Sequence, residues 1–472
     1  MKLSARQIAA ATGGILRQEG IPGVISTDTR TIKPEQDGSG TWFLALIGER
    51  FDAHDFLEKA QQLGCAGIVS QRAPKNWSRG WVQVPDTLIA LQDLARFVRS
   101  QFSGPVIGIT GSAGKTTTRQ MVAIALEPLG KIHATNGNYN NHIGLPLTIL
   151  AAPENADYWV LEMGMNALGE IDLLQEISKP THRVITNVAA AHLEGLGSIE
   201  QVAKAKGELF DGALEGDCIF VNHDDPHILS HSIPPKVKTF SYGQKSNDHL
   251  VTLKSAELVG LSTNTTLQFA AFNDQEEHTL SLLLPSPGLH LAHNCCAAAA
   301  IAYQLGVTAA QIAEQLSSYQ PVGARLKLEQ GPGGYQILND VYNANPLSML
   351  ASVQTLDAVN MSGRKIALLG DMLEMGTFEI EEHMDLLKSL PKVSLLGLVG
   401  PRFQKAIERL LAQDPAAVLS PYITASTAET LVEQMNEDDV FPLNEQDILL
   451  FKGSRGIRME RAISAIRDLH TH

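Results

Sequence analysis

Cysteine is scarce in this sequence, with four in 472 residues. Cys295 and Cys296 are adjacent, Cys65 and Cys218 stand alone, and no CxxC or His/Cys cluster has zinc spacing. That excludes a disulfide framework and fits a reducing compartment. Long apolar runs are missing too: no stretch approaches the roughly 20 residues of a membrane span. The opening MKLSARQIAAATGG lacks the roughly 7–15-residue apolar core of a secretion signal. It reads instead as a helix start, with Ser4 and Gln7 at capping-box spacing. A soluble, cytoplasmic chain is the expectation, so the sequons at Asn76 and Asn264 carry no weight. Positive charge is also short, with 37 Lys plus Arg against 51 Asp plus Glu and a formal charge of −14. Such a chain makes a poor general nucleic-acid binder, which needs a basic face to displace counterions. Anionic ligands remain possible, because a helix N-terminus and a few local cations can hold a phosphate.

What is present is ample core material: 44% hydrophobic and 19% charged residues, with no signature of disorder. At roughly 150 residues per domain, the length suggests three domains. The first, expected over 1–103, has short apolar runs and ends in a helix carrying Leu91, Leu94, Ala95, Val98 and Phe102 at helical spacing. Ser103-Gly104-Pro105 punctuates the chain. From Val106, apolar strand runs (VIGIT, YWVLEM, RVITNV) alternate with helical stretches, which argues for a mostly parallel sheet covered on both faces. Residues 236–284 alternate Val, Thr and Leu without a long helix, as an antiparallel insertion or sheet edge would. Alanine-rich helices are expected at 292–304 and 308–318, closing a central domain at 104–319. The alternation resumes with YQILND, KIALLGD, VSLLGLVG and DILLFKG, predicting a Rossmann-like α/β domain over 320–472. The expected fold class is therefore α/β throughout, with a small N-terminal domain and two larger ones.

The strongest local signal is the run GITGSAGKTTT, Gly108 to Thr118, directly after the VIGI strand and before a helix-compatible segment. Backbone amides of such a loop, backed by a helix dipole, form an anion cradle. Lys115 would reach the β- and γ-phosphates of ATP and the Thr116 hydroxyl would ligate Mg²⁺. Ile109 replaces the first glycine of the full motif, so a Gly-rich turn that binds nothing is the alternative. Glu162 ends the strand YWVLE, where ligands bind in open parallel sheets, and an oxygen ligand there suits Mg²⁺; a plain surface glutamate is the competing reading. His192 follows the next strand in a loop, a position that alone indicates little. Lys206 is the unusual residue. It shares one helical stripe with Ile199, Val202, Leu209 and Ala213. A buried lysine is costly unless neutralised, paired or modified. A desolvated amine can take up CO₂ as a carbamate and so become an oxygen ligand, whereas snorkelling to solvent is the alternative.

These residues together resemble the ATP-dependent Mur ligase family of peptidoglycan synthesis. TGxxGKT(S/T) matches Thr110 to Thr117, EMGxNxxGEI matches Glu162 to Ile171, and TNVxxAHLExxGS matches Thr186 to Ser198. LFKGSRG matches residues 450–456, and the motifs keep their order over nearly the whole chain. The resemblance implies an acyl-phosphate ligase that uses ATP and Mg²⁺. It places the family's carbamylated lysine at Lys206 and its metal-site histidine at His192. Its His-Asn pair falls on His293 and Asn294, its nucleotide arginine on Arg325 and its aspartate on Asp340. The implied nucleotide loop is Gly111, Ser112, Ala113, Gly114, Lys115, Thr116 and Thr117. Three positions depart from the pattern: Ala297 replaces a second asparagine, Ala324 a glycine and Asn339 an aspartate.

Three further features, TDTR with LIGERFDAHDF, NYNNHIGLP, and DVYNANP with GDMLEMG, narrow the implied substrates to UDP-N-acetylmuramoyl-tripeptide and D-alanyl-D-alanine. By resemblance, Thr27, Asp28 and Arg30 lie near the uridine diphosphate, and Asn140 and Asn141 near the muramoyl-peptide. Asn343, Asn345 and Lys452 lie near the incoming dipeptide or the joint between domains. A monomer with no nucleic-acid partner is expected. Two rival readings are a folylpolyglutamate-type ligase, which lacks this leading domain, and an ATP-driven switch, which would not need Glu162, His192 and Lys206 as a set.

Overall fold

The computed structural model describes residues 1–32, 40–48, 51–191, 193–246, 248–438, 440 and 442–469. Glu49 and Arg50 of the GERFDAHDF segment and His192 lie outside the described residues. Among the described residues the strands form three larger sheets, one for each stretch of alternating sequence, and a short hairpin. In the first stretch β1 (Ile15–Gln18), β2 (Val24–Ser26), β3 (Thr41–Leu44), the hairpin β4 (Ile47–Gly48) and β5 (Phe51–Asp52), β6 (Gly67–Ser70) and β7 (Gly80–Gln83) follow in order. The sheet runs β1-β7-β6-β3-β2, parallel except at β1. The opening helix Ala5–Thr12 carries the capping box expected of Ser4 and Gln7. The helix Thr87–Ser100 buries Leu91, Leu94, Ala95 and Val98, the stripe read from the sequence.

The second sheet comprises β8 (Val106–Thr110), β9 (Ile132–Ala134), β10 (Tyr158–Glu162), β11 (His182–Ile185), β12 (Cys218–Asn222), β13 (Lys238–Gly243), β14 (Val251–Val259), β15 (Ser262–Phe269) and β16 (His278–Leu284). Its order is β16-β15-β14-β13-β12-β11-β8-β10-β9. The strands from β9 to β14 in this order are parallel, and the central β8, β10, β11 and β12 are buried along nearly their whole length, as strands covered on both faces are. The last two are antiparallel and form the edge predicted for 236–284. Their alternating burial in β15 shows one covered face and one open one. The helix Leu289–Gln304 packs beneath this sheet with Cys295 and Cys296 in its core. All four cysteines are buried and none forms a disulfide among the described residues. Burial alone pushes the Cys295 thiol up to about 12, and both residues pack in the core.

The third sheet contains β17 (Lys327–Gln330), β18 (Gln336–Asp340), β19 (Lys365–Gly370), β20 (Leu395–Val399), β21 (Tyr422–Ala425) and β22 (Ile448–Lys452). Its order β17-β18-β22-β19-β20-β21 is parallel but for β17. The carboxyl ends of the neighbouring strands β18 and β22, at Asp340 and Lys452, border the cavity described below, the place where ligands bind in such sheets. Among the described residues no helix is long and apolar enough to cross a membrane.

Candidate active site

The carboxyl ends of the second and third sheets face one shared cavity of about 670 Å³. Its floor is the phosphate loop between β8 and the helix Lys115–Leu126. Gly114 is the N-cap of that helix with φ +80°, a left-handed conformation that glycine adopts at no steric cost. A Cβ at Gly114 would come within 2.5 Å of Asn294 Oδ1, and one at Gly111 would overlap the Thr186 hydroxyl. The loop is braced from the end of β11: Asn187 Oδ1 accepts the Ala113 amide at 2.8 Å, and Thr186 Oγ1 donates to the Ala113 carbonyl at 2.6 Å. Lys115 Nζ donates to the Gly111 carbonyl at 2.5 Å. Burial lowers its pKa, with Glu162 opposing that shift and Arg325 reinforcing it.

Glu162, at the end of β10, is 2% exposed and is held from three sides. Thr116 Oγ1 donates to its Oε2 at 2.8 Å, Asn140 Nδ2 to its Oε1 at 2.8 Å, and Arg119 Nε lies 3.4 Å away. The carboxylate thus faces the loop rather than solvent, so Glu162 is not a surface glutamate. Lys206 lies on the helix Ile199–Asp211 and is 1% exposed, so its stripe is buried and the amine does not snorkel. It makes no hydrogen bond or ion pair with any described residue. Burial, and then the neighbouring Lys115 charge, push its pKa well below the ordinary lysine value.

The roof comes from the C-terminal part of the chain. Arg325 Nη2 donates to Thr116 Oγ1 at 2.9 Å, and its guanidinium carbon sits 3.6 Å from the centre of the Tyr342 ring. Asp340 and Lys452 end neighbouring strands and pair at 2.6 Å. Asp340 also accepts from Ser352 Oγ at 2.7 Å and the Leu326 amide at 3.2 Å, while Lys452 donates to the Asn343 carbonyl at 3.2 Å. Asn345 caps the helix Pro346–Ala358 through the Ser348 amide and reaches across to the Ser112 carbonyl at 3.3 Å. A second bridge runs from the Glu194 amide to the Glu374 carbonyl at 3.2 Å.

Several expected positions take on different work. Asn140 faces Glu162, and Asn141 accepts the Gly144 amide at 2.8 Å at the start of the helix Gly144–Leu150. Both nevertheless line the cavity. The His293–Asn294 pair divides. Asn294 meets the phosphate loop, its Oδ1 accepting from Thr118 Oγ1 at 3.3 Å, whereas His293 lies 3.7 Å from Asp224. His290, one turn earlier, has a buried Nδ1 without a hydrogen-bond partner among the described residues, and desolvation lowers its pKa to about 4. Ala297 is buried at the cavity wall. Thr27, Asp28 and Arg30 stay together in the turn after β2, with Arg30 paired to Asp28 at 2.7 Å, and do not line this cavity.

Sequence reasoning passed over Arg119, Asn187, Tyr342 and His290. Arg119 stands four residues after Lys115, one helical turn on the same face, and Asn187 and Tyr342 sit inside motifs already quoted. His290 offered no signal beyond its place near Asn294.

Comparison with known proteins fits this arrangement. Residues 109–302 match the Mur ligase middle domain, and residues 324–455 match the Mur ligase, glutamate ligase domain. The chain is 35% identical over 472 residues to the UDP-N-acetylmuramoyl-tripeptide–D-alanyl-D-alanine ligase of Bacillus subtilis (strain 168), covering 98% of each. It superposes on a crystal structure of MurF from Acinetobacter baumannii with a TM-score of 0.86, at 30% identity and 99% coverage of both chains. MurF from Thermotoga maritima in complex with ADP aligns with a TM-score of 0.81, at 26% identity over 95% of this chain and 98% of that one. Folylpolyglutamate synthase of Mycobacterium tuberculosis shares only the fold, with a TM-score of 0.61 at 17% identity. Matching both Mur ligase domains, and 35% identical to a curated member along essentially its whole length, this chain belongs to the Mur ligase family of ATP-dependent peptide ligases.

Proposed function

We propose that this chain joins D-alanyl-D-alanine to UDP-N-acetylmuramoyl-tripeptide at the expense of ATP, as a monomer in the cytoplasm. The observation that carries the reading is the convergence, in one cavity, of the phosphate loop, the Thr116–Glu162 pair and the C-terminal Arg325 and Asp340. Three sections of chain would share the work: 1–103 holding the UDP-sugar through Thr27, Asp28 and Arg30, 104–319 holding ATP, and 320–472 holding the dipeptide through Asn343 and Asn345. Lys452, paired to Asp340 and bonded to the Asn343 carbonyl, would brace that dipeptide segment.

Joining a carboxylate to an amine in water is uphill, so the carboxylate must first be activated. The terminal carboxylate of the tripeptide attacks the γ-phosphorus of ATP, forming an acyl phosphate and releasing ADP. The free amine of the dipeptide then attacks the acyl carbon, the amide forms, and inorganic phosphate leaves with one oxygen of the original carboxylate. Phosphoryl transfer is largely positioning and charge neutralisation. The loop amides from Gly111 to Thr117 cradle the phosphates, Lys115 neutralises the group in transit, and Asn294 borders the loop at the nucleotide. Arg325 and Asp340 reach the nucleotide from the third section, so the site is complete only when that section closes on the loop.

The donor set also fits Mg²⁺. Glu162 and Thr116 supply adjoining oxygens, and magnesium is commonly held by one or two carboxylates plus substrate phosphates. The ion would offset phosphate charge. A buried amine at Lys206 with no hydrogen-bond or ion-pair partner among the described residues fits conversion to a carbamate, which together with His192 would give a second metal an oxygen and a nitrogen ligand. Phosphate release with the UDP-tripeptide, ATP and D-alanyl-D-alanine tests the reading. Turnover should require both acceptor substrates, and ATP turnover unchanged without the dipeptide would overturn it.

A further inference from the structure

Arg325 is held in an unusual way. Among the described residues no carboxylate pairs with it; its guanidinium carbon lies over the Tyr342 ring, 3.6 Å from the centroid, and one donor is spent on Thr116 Oγ1 at 2.9 Å. The Tyr342 amide donates to the carbonyl of Ala324 at 3.1 Å, so the ring and the arginine are tied by the backbone beside them. The segment bearing Tyr342 is fixed in turn, since Asp340, two residues before it, is locked to Lys452 and Ser352.

An acidic partner would orient an arginine by occupying its donors and cancelling its charge. An aromatic face orients it through the ring quadrupole and leaves the planar fork free. A residue that must present N–H groups to an anionic ligand is served by the second arrangement. We propose that Tyr342 is a positioning residue for nucleotide binding: its ring pre-orders Arg325 over the phosphate loop, so that the ligand does not bear the cost of ordering a long side chain. The same residue stands directly before Asn343 and three before Asn345. The strand-end segment assigned to the dipeptide therefore also sets the nucleotide arginine. This inference rests on the nucleotide reading above.

ADP binding to the full chain, measured by calorimetry, tests it without requiring ligation. Tyr342→Leu keeps apolar bulk and removes the quadrupole; it should weaken ADP by about 3- to 30-fold, the range of a partly desolvated cation–π contact. Tyr342→Phe keeps the ring and should stay within about threefold of the parent. In an Arg325→Ala background, Tyr342→Leu should cause no further loss, because the ring then has nothing to orient. Equal weakening in both backgrounds, wild-type affinity in the Leu variant, or a Phe variant as weak as Leu would each overturn the proposal. Failure of the unaltered chain to bind ADP at all would instead overturn the nucleotide reading beneath it.

Discussion

The pair Asp340–Lys452 offers a quantitative test of how the third sheet builds its share of the site. The two residues are directly opposite on parallel strands β18 and β22, 2.6 Å apart, with side-chain exposures of 11% and 3%. Lys452→Met leaves Asp340 with the Ser352 hydroxyl and the Leu326 amide but no cation. Removing one partner of a buried pair costs about 3–5 kcal/mol. For a section of this size, 1 kcal/mol moves a thermal midpoint by roughly 2–4 °C, so the transition carrying the third sheet should fall by roughly 6–20 °C. Adding Asp340→Asn removes the stranded charge, and replacing a buried pair as a whole is often nearly neutral. The double variant should therefore recover most of that loss. Scanning calorimetry of the four proteins closes the cycle. A midpoint drop below about 2 °C in Lys452→Met, or a double variant that merely adds the two single losses, would refute the assignment of a strongly coupled buried pair.

Other expectations follow from the same geometry. Lys206→Ala should lose ligation while the fold persists, and high CO₂ or an added short carboxylate should restore part of it; an intact but unrescued variant would contradict carbamate formation. Gly114→Ala should abolish ADP binding in calorimetry, because its positive φ and the approach to Asn294 Oδ1 leave no room for a Cβ; retained binding would contradict the cradle. Burial depresses His182 and His290 to about 4. The unfolded chain therefore binds their protons first, and the stability they leave intact above about pH 6.5 is lost as pH falls towards 4. The slope is about 1.4 kcal/mol per pH unit for each. His290→Leu should remove one proton's worth of that slope, read as proton uptake on unfolding at pH 5; an unchanged uptake would contradict a neutral His290.

Much of the fold was legible because parallel, doubly covered strands must be continuous apolar runs. VIGIT, YWVLE and ILLFK are strands that end at the cavity, and KIALLG is the buried strand beside ILLFK. The phosphate loop was equally legible, since its glycines answer a local backbone demand. The apolar stripe carrying Lys206 was readable from helical periodicity, but that its amine stays buried instead of snorkelling to solvent was not. Contacts between segments distant in sequence were not readable. Nothing local in DVYNANP says that Tyr342 will lie under Arg325, or that Asn345 will serve both as a helix cap and as a bridge to Ser112. The asparagines show the limit most clearly. The sequence marks Asn140 and Asn141 as polar residues in a loop, but only tertiary packing turns one towards Glu162 and the other into a helix start. His293 and His290 differ by one helical turn, and which of them leaves a nitrogen unpaired depends on Asp224 and on the end of the third sheet.

The central claim is that a tripeptide carboxylate is activated by phosphorylation inside the cavity. Isotope transfer tests it most directly: UDP-N-acetylmuramoyl-tripeptide labelled with oxygen-18 in its terminal carboxylate is turned over with ATP and D-alanyl-D-alanine, and the released phosphate is analysed by mass spectrometry. Attack of that carboxylate on the γ-phosphorus, followed by amide formation, predicts one labelled oxygen in each phosphate. Unlabelled phosphate accompanying amide product would contradict the account.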